Sequence, residues 1–406
     1  MSLPDLLGRK TINLDTPELQ RFVGGKRLLV TGAGGSIGSE ICRQIMKFCP
    51  ASLVLVDRCE NALFEIDQEL RHRWLGAPIK PIIADICDQA RIERLFASES
   101  PQVVFHAAAH KHVPMMESNP GEAIKNNVFG TKTVADAARA TGVHSFVLIS
   151  TDKAVNPTSV MGAAKRVAEL YVQSLNTGHR PWAIGHSEAD SATAISTAYG
   201  LGHKASLKAS SATRFTAVRF GNVLGSSGSV VPIFEKQILA GGPVTVTHAD
   251  MRRFFMTIPE ASQLVMQAGA IGAGGEIFVL DMGEPVRILD LAHEMIRRHG
   301  LVAGRDIEVK ITGTRPGEKL YEELACDNDQ TVPTSHHKIR VWSLPRYTPA
   351  EVQNVLTKLS RVVEAEREQV IDALMDVVPE YAPPDRVMTR KLESVSTSIA
   401  PLVVAA

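Results

Sequence analysis

The alternation of short β-branched segments with longer amphipathic segments constrains the fold of this chain most. It begins at Lys26, and the apolar segments are RLLVTG, SLVLVD, IKPIIADI, QVVFHAAA and SFVLIST in chain order. The amphipathic segments GSEICRQIMKF and ENALFEIDQELRHRW separate the first three of them. Short buried strands separated by helices are typical of βαβ units around a parallel sheet. The sequence therefore predicts an α/β protein with a Rossmann-like, doubly wound parallel sheet.

A glycine-rich loop, TGAGGSIG, connects the first predicted strand to the first predicted helix. Glycines at this spacing permit a tight turn and a close approach of the backbone to a pyrophosphate, which then faces the N–H groups of the helix N-terminus. The triplet alone also fits an ordinary strand-to-helix turn, but its position favours a dinucleotide site. The residues predicted to form it are Gly32, Gly35, Ser36, Ile37 and Gly38.

Residues at the ends of the following predicted strands fit the adenosine end of such a cofactor. Asp57 follows the loop by about 20 residues, where a carboxylate accepts the ribose hydroxyls and favours NAD. Arg58 could instead contact a 2′-phosphate, so NADP stays open. Asp85, with Ile86 beside it, either meets the adenine amino group or is a turn residue at a strand end. A small-residue strand end, suited to a cofactor lying across it or to tight sheet packing, consists of Ala107, Ala108 and Ala109.

Changes in composition along the chain predict its domain boundaries. Residues 1–25 read as a polar N-terminal arm, and residues 26–240 as an NAD(P)-binding Rossmann domain. Within it, residues 176–212 are rich in Ala, Ser, Gly and His without a sustained period, which predicts an inserted surface loop. Residues 241–386 read mainly as a smaller α/β substrate-binding domain and C-terminal helices, with some segments returning to the sheet. We expect residues 387–406 to be a disordered tail.

The charge balance argues against a nucleic-acid or membrane-surface partner. Lys plus Arg and Asp plus Glu both number 44, so an anionic ligand has to be held by local groups. The 5 cysteines show no C-x-x-C spacing, which gives no indication of a zinc site or a disulfide framework. No apolar run reaches the ~18 residues of a membrane-spanning helix, and the N-terminus does not read as a secretion signal. We therefore expect a chain without membrane insertion, in a reducing cytoplasm.

The segment STDKAVNPTSVMGAAK after the strand SFVLI contains the candidate catalytic groups. In many dinucleotide enzymes this position carries a Tyr-x-x-x-Lys pair, in which the phenol moves a proton and the lysine holds the cofactor ribose. Here Met161 replaces the phenol and cannot carry a proton, whereas Lys165 remains. Asp152 and Lys153 offer an acid and a base. In an arbitrary protein such a pair would more often be a solvated strand exit, but it follows a cofactor pattern here.

Five motifs taken together resemble the extended short-chain dehydrogenase/reductase family, in particular bacterial UDP-N-acetylglucosamine 4,6-dehydratases. They are TGAGGSIGSE, AAAHKHVPMMESNPGEAIKNNVFGT, ISTDKAVNPTSVMGAAKRVAE, RFGNVLGSSGSVVP and TRPGEKLYEEL. The similarity runs from about Asp5 to about Tyr347, with the insertion excepted, and is greatest to the branch with Met in the tyrosine position. Longer members of that branch have an N-terminal membrane region. The resemblance thus implies either a short cytoplasmic protein or the soluble portion of a membrane-anchored one, and a homo-oligomer.

The resemblance implies a concealed redox cycle on the sugar. A hydride leaves C-4 for NAD(P)+, the C-5 proton is removed, the C-6 hydroxyl departs as water, and the hydride returns at C-6. Asp152 would be the acid at C-6 and Lys153 the base at C-5, with their side chains diverging to opposite sides of the ring. Lys153 must then be neutral, and we expect Lys165 and the nicotinamide cation to lower its pKa. Thr151, a water or Asp152 would relay the 4-hydroxyl proton, and Met161 would pack against sugar or nicotinamide.

The resemblance also places the UDP-sugar. Arginines suit its diphosphate because their planar forks match phosphate oxygens, although each arginine alone reads more simply as a surface ion pair. The expected substrate-binding residues are Lys111 or His112 at the hexose, Asn222 at the phosphates, Ser226 to Val230 at the nucleotide, Arg253 and Arg315 as a diphosphate clamp, and Glu318 at the uridine ribose. The three histidines of HAAAHKH invite a metal, but no further ligand spacing follows, so packing or sugar contact is favoured over a metal site.

The leading hypothesis is a UDP-N-acetylglucosamine 4,6-dehydratase that keeps the C-5 configuration and serves surface polysaccharide or glycan synthesis. The alternatives among enzymes are a C-5-inverting dehydratase and a UDP-hexosamine 4-epimerase, although an epimerase would ordinarily need the phenol that Met161 replaces. The alternative of another class is a non-catalytic dinucleotide-binding sensor or scaffold. The identity of the UDP-sugar, UDP-N-acetylglucosamine or a related one, stays open at this point.

Overall fold

A nine-stranded sheet forms the centre of the molecule. The computed structural model describes residues 16–176, 212–324, 331–342 and 347–384. The strands in chain order are β1 (Arg27–Thr31), β2 (Ser52–Asp57), β3 (Ile79–Ile83), β4 (Val103–His106), β5 (Ser145–Ile149), β6 (Arg214–Arg219), β7 (Asn222–Val223), β8 (Val244–Val246), β9 (Arg252–Arg253), β10 (Phe255–Met256), β11 (Ile277–Leu280), β12 (Val286–Arg287), β13 (Val309–Ile311), β14 (Thr331–Pro333) and β15 (Ile339–Trp342).

The sheet is parallel in the order β3-β2-β1-β4-β5-β6-β11, and β15 and β14 extend it antiparallel beyond β11. The prediction of a Rossmann-like, doubly wound sheet is therefore confirmed. After β3 the chain returns to the other side of β1, so β1 and β4 are neighbours, with Thr31 opposite His106. In sheets of this kind, ligands bind in the crevice outside the carboxyl ends of the strands at that reversal.

Helices cover both faces of the sheet. They are α1 (Pro17–Val23), α2 (Ser36–Met46), α3 (Glu60–Arg73), α4 (Gln89–Glu99), α5 (Val113–Ser118), α6 (Pro120–Ala123), α7 (Thr131–Ala140), α8 (Val160–Ser174), α9 (Val230–Leu239), α10 (Ile258–Ile271), α11 (Ile288–Arg298), α12 (Pro349–Ser360) and α13 (Arg367–Val377). A π-helix, Ile124–Gly130, leads into α7, and a 3₁₀ turn, Asp152–Ala154, follows β5. No helix in the described part of the chain is long and apolar enough to cross a membrane.

Each face of the sheet has its own apolar core, because successive strand side chains point to opposite faces. On one face, Leu29 and Val104 pack in the same cluster as residues of α7, α8, α12 and α13. On the other, Leu28 and Phe105 pack in the same cluster as residues of α1, α2 and α10. Strands buried on both sides explain the nearly continuous apolar segments from which the sheet was predicted.

Part of the expected polar arm is a helix. Thr16 caps α1, Pro17 occupies its first position, and Leu19, Phe22 and Val23 are buried. This i, i+3, i+4 spacing gives a short helix one apolar side, which packs against α10. The segment has too few turns to show that period clearly in the sequence, so the expectation for residues 17–23 was wrong. Residues 1–15 lie outside the described residues.

A smaller unit with a separate apolar core lies beyond β6. Its core contains residues of α9, α11, β8 and β10, and β13 pairs with β8. Since α9 belongs to this core, the change of unit occurs near Leu224, before the boundary expected at residue 240. The expected return of later segments to the sheet is seen in β11, β14 and β15. Residues 177–211 of the expected insertion and the expected tail at 387–406 lie outside the described residues.

Candidate active site

The glycine loop is held tightly between β1, α2 and the end of β4. Gly32 has φ +67°, and a Cβ atom there would lie 2.6 Å from the Ala108 nitrogen. A Cβ atom on Gly38 would lie 2.0 Å from the Gly32 carbonyl oxygen. Gly35 directly precedes α2, so the first N–H groups of an eleven-residue helix begin at the loop. Side chains at Gly32 and Gly38 would collide with this backbone, so both glycines are needed for the tight turn into α2, and such a turn at a helix N-terminus fits a dinucleotide.

The expected adenosine residues lie together at the ends of β2 and β3. The Asp57 carboxylate accepts hydrogen bonds from the Gly34 N–H at 2.9 Å and the Cys59 N–H at 2.9 Å, and so braces the glycine loop. Arg58 Nη1 lies 3.9 Å from the Asp85 carboxylate, and Arg58 Nη2 lies 3.2 Å from Nε2 of His110. Asp57 therefore has a structural task, and its contact with the adenosine ribose and the role of Arg58 stay predictions.

A cavity of about 790 Å³ extends from the glycine loop to the smaller unit. Most of the predicted site residues line it. They are Gly35, Ser36, Ile37, Gly38, Ala107, Ala109, Lys111, His112, Thr151, Lys153, Met161, Lys165, Asn222, Ser226, Val230, Arg253, Arg315 and Glu318. The remaining predicted residues are outside this lining. They are Gly32, Asp57, Arg58, Asp85, Ile86, Ala108 and Asp152.

Thr151, Asp152 and Lys153 form a compact cluster where β5 ends. Asp152 Oδ1 accepts a hydrogen bond from the Thr151 hydroxyl at 2.9 Å and from Lys153 Nζ at 3.0 Å. The two charged side chains therefore converge, and the expectation that they diverge to opposite sides of the sugar was wrong. The 3₁₀ turn that begins at Asp152 is the physical reason, because successive side chains in such a turn no longer point to opposite sides as they do in a strand. Asp152 is only 1% exposed and does not line the cavity, whereas its two hydrogen-bonded neighbours Thr151 and Lys153 do.

Lys153 is surrounded by groups that favour its ammonium form. Its Nζ atom also lies 3.5 Å from Glu322 Oε1 and donates to Asn222 Oδ1 at 3.2 Å. Burial alone would lower the pKa of Lys153, but the carboxylates of Asp152 and Glu322 outweigh it and raise that pKa above its ordinary value. The expected lowering of this pKa by Lys165 is not seen, because the side chain of Asp152 turns toward Lys153 and a second carboxylate, Glu322, which the sequence analysis did not identify, lies beside it.

Lys165 lies on α8 and reaches back to the end of β5. Its Nζ atom donates to the Ile149 carbonyl oxygen at 2.6 Å, and the residue is 5% exposed. Burial lowers the pKa of Lys165 to about 8, against the opposing attraction of Glu169. Met161, one turn earlier on α8, is 3% exposed and forms an apolar part of the cavity wall, as expected for a packing residue.

The expected diphosphate clamp is tied to protein groups. Arg253 donates to the carbonyl oxygens of Lys319 at 2.8 Å and Leu320 at 3.2 Å. Glu318 lies between the two arginines, with Oε1 3.5 Å from Arg253 and 3.1 Å from Arg315. Arg315 is the more exposed of the two. A role for these arginines in diphosphate binding stays a prediction.

Glu322 is a charged cavity residue that the sequence analysis did not identify. Its side chain is 3% exposed, and it bridges Lys153 and Arg253, at 3.5 Å and 3.8 Å. It follows Glu318 by four residues within the motif TRPGEKLYEEL. That motif was the available signal, but nothing in it distinguishes Glu322, which points to the cavity, from its exposed neighbour Glu323.

The three histidines of the β4 exit have separate surroundings. His106 is buried and shares hydrogen bonds with Thr31 at 2.7 Å and Thr131 at 3.0 Å, and burial lowers its pKa to about 3. His110 contacts Arg58, and His112 lines the cavity beside Gly228. Within the described ranges, no group of three or more His, Cys, Asp or Glu side chains is placed to hold a metal ion.

Comparison with known proteins identifies related chains. Residues 28–343 match the family model described as polysaccharide biosynthesis protein. A relative named capsular polysaccharide biosynthesis protein CapD, from Staphylococcus aureus, is 48% identical over 88% of this chain and 55% of its own length. A Campylobacter jejuni relative named UDP-N-acetylglucosamine 4,6-dehydratase (inverting) is 32% identical over 75% of this chain and 79% of its own. The chain spans about half the length of the first of these relatives.

A solved structure shares the fold across most of the chain. The X-ray structure of Pen from Bacillus thuringiensis superposes with a TM-score of 0.65 at 34% identity. The match covers 80% of this chain and 90% of the other.

Proposed function

Because this chain belongs to the polysaccharide biosynthesis protein family, we propose that it is an NAD(P)-dependent UDP-N-acetylglucosamine 4,6-dehydratase that retains the C-5 configuration. Its product would be UDP-2-acetamido-2,6-dideoxy-4-keto-hexose, for surface polysaccharide or glycan synthesis. The observation that carries the proposal is the Asp152–Lys153 ion pair at the edge of a cavity that begins at the glycine loop. The name of the Campylobacter jejuni relative supports the same reaction class.

The cofactor expected at the glycine loop is NAD, with NADP as the other candidate. When bound, it would take up a hydride from the sugar and return it. The loop from Gly32 to Gly38 would hold the pyrophosphate, and Asp57 the adenosine ribose. Lys165 Nζ, held at the Ile149 carbonyl, would place a donor beside the nicotinamide ribose.

The three residues after β5 would move the protons. The Thr151 hydroxyl, which lines the cavity, would take the proton of the 4-hydroxyl and pass it along its 2.9 Å hydrogen bond to Asp152. Asp152 would then supply the proton with which the 6-hydroxyl leaves. Lys153 would remove the C-5 proton and give it back on the same face, which retains the configuration. Met161 would exclude water beside the ring without taking part in proton transfer.

The UDP-sugar would lie along the other wall of the cavity. Ser226 to Val230, Arg315 and Glu318 would contact the nucleotide, and Lys111 or His112 the hexose. Arg253, already bound to two carbonyl oxygens, would act mainly by fixing that wall. A homo-oligomer is part of the same proposal, by resemblance to the family.

A second candidate is the C-5-inverting dehydratase, which the name of the Campylobacter jejuni relative favours. Inversion requires the proton to return on the opposite face, from a group other than Lys153. Met161 favours retention of the C-5 configuration instead, because it makes this chain resemble the branch that has Met in the tyrosine position.

Incubation of the protein with UDP-N-acetylglucosamine and NAD in deuterated water, followed by NMR, tests the proposal. A retaining dehydratase loses water and gains deuterium at C-5, and in product made in ordinary water a through-space contact between H-3 and H-5 shows the unchanged configuration. Loss of that contact would support the second candidate. An epimerised sugar without deuterium would identify a 4-epimerase, and bound cofactor without turnover a sensor or scaffold.

A further inference from the structure

The side chain of Glu322 is a second carboxylate partner of Lys153, in addition to Asp152. Its Oε1 atom lies 3.5 Å from Lys153 Nζ and 3.8 Å from Arg253 Nε. Its Oε2 atom is buried and has no hydrogen-bond partner among the residues that the structure describes. A buried carboxylate oxygen without a donor is costly, and it leaves Glu322 with an unused acceptor close to the Lys153 ammonium group.

The proposed reaction needs such a proton acceptor. Lys153 has to be a neutral amine to remove the C-5 proton, yet its surroundings favour the ammonium form. Asp152 is unsuited to take the extra proton, because it must receive the proton of the 4-hydroxyl and deliver it to the 6-hydroxyl. Among the groups in contact with Lys153 Nζ, Asn222 offers an amide oxygen of negligible basicity. Glu322 is then the contact that can hold the proton.

We propose that Glu322 is a positioning residue that accepts the extra proton of Lys153 and so turns it into the C-5 base. This inference rests on the proposed dehydratase function. An N–H bond of Lys153 breaks as an O–H bond forms on Glu322. The free electron pair on Nζ takes the C-5 proton, the C-5–H electrons form the C-5=C-6 bond, and the C-6–O bond breaks with a proton from Asp152. When C-5 is protonated again by Lys153, Glu322 returns its proton to the amine.

This arrangement has a distinctive pH dependence. The ammonium–carboxylate and amine–carboxylic acid forms of the pair contain the same number of protons, so the reactive fraction does not change with pH while the pair keeps its proton. Glu322→Gln removes the acceptor, and Lys153 must then lose its proton to solvent. Below the pKa of Lys153, the rate of the variant should rise about tenfold per pH unit, whereas that of the wild-type protein stays level.

The test is the pH profile of kcat for the full chain with UDP-N-acetylglucosamine and NAD. We expect Glu322→Gln to lose about 100-fold or more at neutral pH and to gain a steep rise with pH. Glu322→Asp, which keeps a carboxyl group, should restore part of the rate and the level profile. The matched control is Glu323→Gln, since Glu323 is exposed and bonds to Asn156 at 2.7 Å. A uniform loss at every pH in Glu322→Gln would show a merely structural role and overturn the inference.

A second measurement separates this inference from the proposed function. The rate at which Lys153 reacts with an amine-directed acylating reagent, followed by peptide mass spectrometry, reports its protonation without any sugar turnover. Loss of the Glu322 charge should shift the midpoint of this labelling to lower pH. An unchanged midpoint overturns the coupling of Glu322 to Lys153. A shifted midpoint in a protein that makes no keto-sugar would support the coupling of Glu322 to Lys153 and rule out the proposed dehydratase activity.

Discussion

Asp152 Oδ1 lies 3.0 Å from Lys153 Nζ, so two neighbouring residues form a contact ion pair of which only the lysine reaches the cavity. Asp152 is behind it, bonded to the Thr151 hydroxyl. Under the proposed function, Lys153 and Thr151 would contact the substrate, and the carboxylate behind them would store the proton. The effects of mutation at the two positions should differ accordingly.

Lys153→Met should stop the reaction before C-5 exchange. The methionine keeps an unbranched apolar stem but has no base, so the loss should fall in the range of about 100-fold to 10,000-fold typical of general acid–base groups. Deuterium uptake at C-5, measured by NMR, should disappear while NAD binding remains. Lys80→Met, which removes an exposed lysine paired with Glu99 on the edge strand, is the control and should keep wild-type turnover. Turnover of Lys153→Met at the wild-type rate would rule out the proposed base.

Asp152→Asn should slow both the oxidation at C-4 and the loss of water. The amide oxygen can still accept hydrogen bonds from Thr151 and Lys153, but the group can neither take the 4-hydroxyl proton that Thr151 passes on nor deliver a proton to the 6-hydroxyl. A single turnover should therefore show little reduced nicotinamide, measured by its absorbance, and little keto-sugar. Oxidation at the wild-type rate would contradict the role of Asp152 as the acceptor of the 4-hydroxyl proton.

Most of the fold could be predicted from the sequence, because each element carries its own pattern. The strands around β1 are apolar on both faces, and α2 follows a glycine loop, so both are readable locally. The early boundary of the smaller unit was missed, since α9 is apolar enough to fit either core. The short helix α1 was not predicted, because only its contact with α10 shows why its three apolar residues are buried on one side.

The candidate site was predicted in its residues but not in its contacts. The motifs located Thr151, Lys153 and Lys165 at one cavity, since parallel strands end at a common edge. The convergence of Asp152 on Lys153 depends on a 3₁₀ turn, and the approach of Glu322 depends on a segment more than one hundred and fifty residues away. Tertiary packing sets such side-chain geometry, and the local sequence pattern does not predict it.

Met161→Leu should leave the reaction nearly unchanged. Met161 is 3% exposed in an apolar wall, and a leucine of similar volume costs less than about 1.5 kcal/mol in such a place. We expect kcat within about threefold of the wild-type value, together with a small fall in the free energy of unfolding. A loss of 100-fold or more with the fold intact, measured by circular dichroism, would show that the thioether itself is needed and contradict a packing role.

Gly38→Ala should impair the cofactor loop. The added Cβ atom would lie 2.0 Å from the Gly32 carbonyl oxygen, so the loop has to move away from its present position. We expect NAD affinity, measured by isothermal titration calorimetry, to fall at least about tenfold, which corresponds to about 1.4 kcal/mol. Gly142→Ala is the matched control, since Gly142 has φ +68° but nothing within 4 Å of its added Cβ. It should lose about 1 kcal/mol of stability and keep its NAD affinity.

The low pKa of Lys165 should make the stability of the protein depend on pH. This pKa is about 8 in the folded protein against an ordinary 10.5, so between these values the unfolded chain binds more protons and the free energy of unfolding rises with pH. Lys165→Met lacks this contribution. Between pH 8 and pH 10.5, the free energy of unfolding of the wild-type protein should therefore rise by on the order of 3 kcal/mol relative to that of the variant. Urea unfolding at several pH values measures this difference. A constant difference for Lys165→Met would mean that Lys165 stays charged in the folded protein, and that its contact with the Ile149 carbonyl stabilises an ammonium group.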